Sequence, residues 1–142
     1  MNLQTEHNID RVVAFLPEFI KSVLPKIKID FKIPFLNKDL NLGIGNLVVK
    51  FSKIVKKFSP DIVIIFGDRV ELVPISIASS YNGTAIAHIQ AGDKSGHIDD
   101  MTRMMLSKIV HIHLPSTKIS ANRLHKLGEQ NFRIFNVRSS RR

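Results

Sequence analysis

The chain has 142 residues, of which 44% are hydrophobic and 23% charged, a composition that suits one folded domain with an apolar core. It contains no cysteine, which excludes a disulfide framework, a thiolate metal site and a cysteine nucleophile. The first residues are polar, unlike a secretory signal, and no apolar run approaches the roughly 18 residues of a membrane span. We therefore expect a soluble cytoplasmic protein with no membrane partner.

The formal net charge of +9 is distributed unevenly along the chain. Residues 1–60 carry ten Lys/Arg against five Asp/Glu and residues 105–142 carry eight against one, whereas residues 61–104 carry three against six. The lysines of residues 50–57 fall at helical spacing around an apolar stripe, as on a solvated helix face. Nucleic-acid binding is the weaker interpretation, because there is no tryptophan and only one tyrosine for stacking on bases.

The first half of the chain has a mixed pattern. RVVAFLPEFIKSVL at 11–24 predicts a helix interrupted near Pro17, and the alternation in KIDFKI at 28–33 is compatible with a strand. IGNLVVKFSKIVKKF at 44–58 predicts an amphipathic helix that leads to Pro60. Residues 1–11 supply no buried strand, so we expect the domain to lack the strand with which such folds usually open.

The second half alternates between strands and helices. The predicted strands are 61–66, 84–89, 111–115 and 132–137, and the predicted helices between them are 70–81, 99–110 and 117–127. Ser116 is the predicted N-cap of the last helix, and Gly128 its C′ residue. The alternation predicts an α/β fold, a Rossmann-like parallel sheet with right-handed crossovers and helices on both faces. Because RSSRR follows the last strand directly, we expect residues 1–142 to form a single, incomplete domain.

Two polar loops follow the first two of these strands, at the edge where parallel sheets bind ligands. They are Gly67-Asp68-Arg69 and residues 90–100, and we expect them to be neighbours. Asp68 either caps the next helix or presents a carboxylate at this edge. Asp99 and Asp100 precede a helix, and either can be its N-cap. Arg103 shares a helix face with Asp99, as a surface partner or as a ligand for phosphate.

Glycines and histidines surround these acidic residues. Gly92 and Gly96 enclose three polar residues in what is either a turn or an anion-binding nest. His88 is predicted to be a hydrogen-bonded core histidine, and His111 and His113 lack the spacing of metal ligands on one helix. Carboxylates that converge with an arginine suit proton transfer on a phosphate-bearing substrate, although these residues alone do not identify it.

Four segments occur in the order of the motifs of a known family. They are PDIVIIFGDRVE, AIAHIQAGDKSGHIDDMTR, KIVHIHLPSTKISANRLHKLGE and RIFNV, within about residues 60–137. Together they resemble the UDP-N-acetylglucosamine 2-epimerase family, and its hydrolysing branch more closely than its non-hydrolysing branch. The resemblance implies the N-terminal half of a glycosyltransferase-B-type fold, without the second nucleotide-binding domain.

The resemblance also implies a reaction. Members of the family eliminate UDP from UDP-GlcNAc through proton removal at C2, which gives 2-acetamidoglucal. Hydrolysing members then add water and release N-acetylmannosamine, whereas non-hydrolysing members add UDP back. No metal or redox cofactor is implied. Because the second domain holds most nucleotide contacts, this chain alone is expected to be weakly active or inactive, with a separately encoded second domain or a second copy of the chain as partner.

Residue roles follow from the same resemblance. Asp68 in FGDR and Asp99 in HIDD match catalytic carboxylates, and Gln90 stands where many members place a catalytic glutamate. An amide does not exchange protons as a carboxylate does, so Gln90 predicts reduced activity. The residues expected to bind substrate are Arg69, His88, Gly92 and Arg103.

Other positions depart from the family pattern. Ala91 replaces a frequent glycine and Met104 a frequent histidine, and Arg138 follows Asn136-Val137 where the family continues with glycine. The opening strand of the family and its Arg-containing loop are predicted to be missing. Two other interpretations stay open: a non-catalytic basic α/β module that binds nucleic acid or an acidic partner, and an assembly partner of an intact epimerase.

Overall fold

Parallel strands joined by helices form the framework of the computed structural model, which describes residues 11–15, 33–35, 38–96 and 99–137. Within these residues one sheet has the order β1-β2-β3-β4, with every neighbouring pair parallel. Its strands are β1 (Val12–Phe15), β2 (Ile62–Phe66), β3 (Ala85–Ile89) and β4 (Ile112–Leu114). The helices are α1 (Leu40–Phe58), α2 (Leu72–Tyr81), α3 (Asp99–Ile109) and α4 (Lys118–Lys126). The predicted parallel α/β sheet is confirmed.

Local sequence explains where α1 begins and which face it buries. Asp39 caps the helix by accepting a hydrogen bond from the backbone N–H of Leu42 (3.0 Å). The buried side chains Leu47, Phe51 and Val55 recur every four residues and so form one apolar stripe. This stripe packs on the sheet and directs the exposed lysines of α1 away from the core.

The core lies between the sheet and a layer formed by α1, α2 and α3. Val63 and Ile86 are fully buried cross-strand partners of β2 and β3, and Ile75 of α2 and Leu106 of α3 are fully buried above them. Each such side chain contributes about 1.5–3 kcal/mol through its removal from water. Coverage of the opposite face of the sheet by helices stays a prediction.

The helix predicted at 11–24 is wrong over Val12–Phe15, which form β1. Consecutive β-branched residues favour extended backbone, and this strand pairs in register with Ile62–Ile65 of β2. The described sheet thus begins with a strand ahead of α1, so the expectation that the domain lacks an opening strand is wrong. Residues 16–24, residues 28–32 of the predicted strand, and Arg138 lie outside the described residues; Ile33 has no regular secondary structure.

The C-terminal elements differ in detail from their predictions. Thr117 rather than Ser116 caps α4, because its hydroxyl accepts from the backbone N–H of Ser120 (3.0 Å). The strand predicted at 132–137 is reduced to one bridge between His113 and Ile134, after a 3-10 turn at Asn131–Arg133. The predicted C′ residue Gly128 has the left-handed φ of +84° that ends α4, as predicted.

None of the described helices has the length and apolar character needed to cross a membrane. The cytoplasmic location expected from the sequence stays a prediction.

Candidate functional site

The two polar loops lie side by side at the carboxyl ends of β2 and β3, as predicted. The first loop, residues 67–69, begins with Gly67, whose backbone N–H donates to the carbonyl of Ile89 at the end of β3 (3.2 Å). Gly67 has a φ of +89°, a left-handed conformation that suits glycine and turns the chain sharply after β2. Asp68 is therefore carried at the sheet edge.

Arg103 joins the two loops. Its Nη2 forms an ion pair with Asp68, and its Nη1 lies 3.2 Å from Oδ1 of Asp100. The Arg103 side chain is only 12% exposed, so the guanidinium interacts with both carboxylates in partly desolvated surroundings. The sequence suggested Asp99 as the surface partner of Arg103, whereas among the described residues Arg103 forms ion pairs with Asp68 and Asp100.

Asp100 organises the loop that precedes α3. Its carboxylate accepts from the backbone N–H of Ser95 (2.8 Å), the hydroxyl of Ser95 (3.2 Å) and the backbone N–H of Gly96 (2.9 Å). The hydrogen bond from the Ser95 backbone is the main reason why the pKa of Asp100 lies below its ordinary value. Asp99 is the first residue of α3 and is partly buried.

Arg69 is exposed to solvent, yet its guanidinium is held in an ion pair. Its guanidinium forms a bidentate pair with Glu71, at 2.5 Å from Nη2 to Oε1 and 3.2 Å from Nε to Oε2. Glu71 is the main cause of the raised pKa of Arg69, and Asp68 and Asp99 add to it. The guanidinium thus lies in the field of both predicted catalytic aspartates.

Gln90 makes the turn out of β3 in an unusual conformation. Its φ is +64°, in the left-handed region that residues other than glycine rarely adopt. Its backbone N–H donates to the carbonyl of Leu114 at the end of β4 (3.0 Å), which holds this conformation. The side chain is partly exposed beside the site and offers an amide instead of a titratable group.

Helix α4 holds the loop after β3 through contacts that the sequence did not reveal. The hydroxyl of Ser120 donates to Asp93 Oδ1 (2.5 Å), and Thr117 Oγ1 lies 2.8 Å from the same hydroxyl. Arg123 donates to the carbonyl of Gly92. The sequence placed Asp93 between two glycines, but these contacts depend on where α4 packs, which no local pattern indicates.

A cavity of about 320 Å³ lies between this loop, α3 and α4. Its apolar lining comes from Met104 of α3, Leu124 of α4 and Leu127, the residue that follows α4. The charged and polar residues that complete its lining, besides Gly92, are Asp93, Lys94, Asp100, Arg103, Ser107 and Arg123. Of the predicted site residues, only Gly92 and Arg103 line it. The arrangement offers carboxylates for proton transfer beside cations that can stabilise an anion.

His88 is the hydrogen-bonded core histidine that the sequence predicted. It is 1% exposed, and its Nε2 lies 2.6 Å from the carbonyl oxygen of Gly67. A carbonyl can only accept, so Nε2 carries the proton and donates it. Burial lowers the pKa of His88 to about 4, so the imidazole is neutral around pH 7.

His113 is the cross-strand partner of His88 on β4 and is fully buried. Its Nε2 lies 3.4 Å from a carboxylate oxygen of Glu129, which also pairs with Lys108 (2.6 Å). Burial is the main cause of the lowered pKa of His113. In the part of the chain that is described, no three His, Asp or Glu side chains are grouped so as to hold a metal ion.

Comparison with known proteins identifies relatives of this chain. The model of the family described as UDP-N-acetylglucosamine 2-epimerase matches residues 10–139. A UDP-N,N'-diacetylbacillosamine 2-epimerase (hydrolyzing) of Legionella pneumophila is 34% identical over 95 residues, covering 67% of this chain and 25% of that protein. A GDP/UDP-N,N'-diacetylbacillosamine 2-epimerase (hydrolyzing) of Campylobacter jejuni is 34% identical over 132 residues, covering 87% of this chain and 34% of that protein.

The fold is shared with solved epimerase structures. The crystal structure of UDP-GlcNAc 2-epimerase from Neisseria meningitidis bound to UDP-GlcNAc has a TM-score of 0.75 and 23% identity. The match covers 84% of this chain and 34% of that structure. The chain thus spans about a quarter to a third of the length of the relatives it matches. Because the family model covers most of its residues, the chain belongs to the UDP-N-acetylglucosamine 2-epimerase family.

Proposed function

We propose that this chain is part of a UDP-N-acetylglucosamine 2-epimerase of the hydrolysing type, which converts UDP-GlcNAc to N-acetylmannosamine and UDP. The observation that carries the proposal is the set of Asp68, Arg103 and Asp100, joined by ion pairs at the carboxyl ends of β2 and β3 in a chain of this family. The names of the Legionella and Campylobacter relatives, both hydrolyzing enzymes, support the hydrolysing type.

The proposed roles follow from the chemistry of each side chain. Asp68 and Asp99 exchange protons with the sugar, because elimination of UDP breaks the C2–H and C1–O bonds, and the addition of water at C1 then returns a proton to C2. Arg69 and Arg103 stabilise the charge that develops on the departing diphosphate. Gln90 binds the sugar through its amide, since it has no proton to transfer at neutral pH.

Asp93 is a carboxylate in the loop that Gln90 begins. It follows Gln90 by three residues and lines the cavity, where the Ser120 hydroxyl fixes one of its oxygens. A carboxylate held in this way can exchange protons without first being ordered. We therefore include Asp93 among the proposed proton-transfer groups.

Residues 1–142 form one domain in this proposal, and most nucleotide contacts come from a second domain. The relatives are three to four times longer than the part of them that this chain matches, which supports a two-domain enzyme. A domain that lacks these contacts binds the nucleotide sugar weakly, so turnover by residues 1–142 alone is expected to be slow.

Substitution of Asp68 by asparagine tests the proposal. The purified chain is incubated with UDP-GlcNAc at high protein concentration, and UDP release is followed together with the binding of UDP. We expect Asp68→Asn to lower UDP release by on the order of 100-fold or more, because asparagine cannot accept the proton from C2. Asp61→Asn, at the opposite end of β2, is the matched control and should leave the rate unchanged.

Two results would contradict the proposal. Equal rates for the wild type and Asp68→Asn would remove Asp68 from the mechanism. Rapid turnover of UDP-GlcNAc by residues 1–142 alone would contradict the proposed need for nucleotide contacts from a second domain.

The basic face of α1 is the basis of the alternative function. Lys50, Lys53, Lys56 and Lys57 are all exposed, and the Lys57 ammonium lies 5.6 Å from the centre of the Phe58 ring. If this face is only a solvated surface, replacement of all four lysines by glutamine should change elution from a DNA column no more than the same replacement elsewhere. The control replaces four other exposed lysines, which are Lys38, Lys94, Lys118 and Lys126. Elution at distinctly lower salt for the α1 variant alone would favour the nucleic-acid interface.

A further inference from the structure

We propose that His88 is a positioning residue of the candidate site: it holds the Gly67 carbonyl and with it the turn that presents Asp68. The role given to Asp68 rests on the proposed function, whereas the positioning of the turn does not. The family resemblance implied that His88 binds substrate, whereas its buried position supports an action through the backbone.

Strand β3 holds both backbone polar groups of Gly67. The Gly67 N–H donates to the carbonyl of Ile89 (3.2 Å), and the Gly67 carbonyl accepts from His88 Nε2 (2.6 Å). The Gly67 carbonyl belongs to the same rigid peptide plane as the backbone N–H of Asp68. A donor that fixes this carbonyl therefore fixes the direction in which the chain enters Asp68.

Glycine makes this restraint necessary. Gly67 has a φ of +89°, and nothing lies within 4 Å of the position where a Cβ would stand. With neither a side chain nor close neighbours, the Gly67–Asp68 peptide would rotate easily if its carbonyl were free. The imidazole of His88 supplies the missing restraint, and the ion pair with Arg103 restrains the Asp68 carboxylate itself.

The surroundings of the His88 ring suit a hydrogen-bond donor to the backbone more than a residue that binds substrate or acts as a general base. The ring is 1% exposed, so a bound sugar has no surface on it to contact. The charged and titratable groups that act on it are His113 on β4, Arg103 on α3 and Asp93 in the loop after β3. Burial outweighs these groups and keeps the ring neutral, with its single proton on Nε2.

Two substitutions separate the effect of the hydrogen-bond donor at position 88 from the effect of side-chain volume. His88→Gln keeps an N–H donor of similar reach, whereas His88→Met keeps an unbranched side chain without a donor. The carbonyl carbon of Gly67 and the amide nitrogen of Asp68 are followed by NMR in each variant. We expect His88→Met to shift both signals and His88→Gln to restore them toward their wild-type values. Amide signals of the core residues Leu47 and Ile75 serve as the control for folding.

The wild-type protein supplies a test that does not depend on the folding of any variant. Imidazole ¹⁵N spectra at pH 7 should show His88 neutral with its proton on Nε2, with a coupling across the hydrogen bond to the Gly67 carbonyl carbon. Where turnover is measurable, His88→Met should lower kcat about 10-fold with little change in KM, and His88→Gln should recover most of it.

The outcomes distinguish this inference from the proposed function. A proton on Nδ1, or equal shifts at Gly67 and Asp68 in both variants, would overturn the positioning role. Equal UDP release by the wild type and Asp68→Asn would count against the proposed function alone, since the NMR measurements do not depend on turnover.

Discussion

Replacement of Gly92 by alanine is expected to lower the free energy of unfolding by about 3 kcal/mol, through overpacking and backbone strain together. A Cβ at this position would lie 2.5 Å from the carbonyl oxygen of Ser120 and 2.8 Å from Cγ of Leu124, both in α4. Gly92 also has a φ of +73°, which strains any residue with a side chain. The loop after β3 therefore cannot accept the methyl group without moving away from α4.

Gly83→Ala is the matched control for this substitution. Gly83 has nearly the same φ, +74°, but nothing lies within 4 Å of its Cβ position. Gly83→Ala should therefore lower the free energy of unfolding by the cost of backbone strain alone, about 1 kcal/mol. Unfolding by urea, followed by circular dichroism, gives both values. Equal losses of stability in the two variants would show that close packing between the loop and α4 contributes nothing.

Acidification from pH 7 to pH 4 is expected to lower the free energy of unfolding by about 3 kcal/mol through His88 alone. Its pKa is about 4 in the folded protein and about 6.5 in the unfolded chain, so the unfolded state binds more protons between these values. The stabilisation is fully present above pH 6.5 and is lost as the pH falls toward 4. The lowered pKa of His113 acts in the same direction.

The His88→Gln variant isolates this contribution, because glutamine does not titrate. Urea unfolding at intervals between pH 7 and pH 4 should give a shallower decline for the variant than for the wild type. The low pKa of Asp100 affects both proteins equally and acts mainly at lower pH. Parallel curves for the two proteins would show that His88 is not buried as a neutral ring.

The sequence predicts the central strands of the sheet well and the first strand poorly, because the first strand depends on pairing with a distant part of the chain. IVIIF in β2 is apolar on both faces, a pattern that a buried parallel strand produces and an amphipathic helix does not. RVVAFL fits either structure, and its pairing with β2 decides in favour of a strand. Long-range pairing of this kind leaves no local signal.

In the candidate site, too, some features follow from the sequence and others depend on long-range packing. The topology of a parallel sheet brings Asp68 and the loop after β3 to one edge, so their proximity follows from the order of elements. The pairing of Arg103 with Asp68 and the hydrogen bond from Ser120 to Asp93 depend on how α3 and α4 pack against the loops. Helix placement is set by the whole core, and spacing along the chain does not encode it.

Because the Arg103 guanidinium is shared by two carboxylates, the effects of substitutions at these positions depend on one another. Asp68 lies in the loop after β2 and Asp100 in the first turn of α3, yet both form ion pairs with Arg103. Loss of Arg103 would leave two partly buried carboxylates close to each other without their cation, so its effect depends on which acids are present. Substitutions at these three positions are therefore non-additive, and relatives of this protein should exchange them together or retain them together.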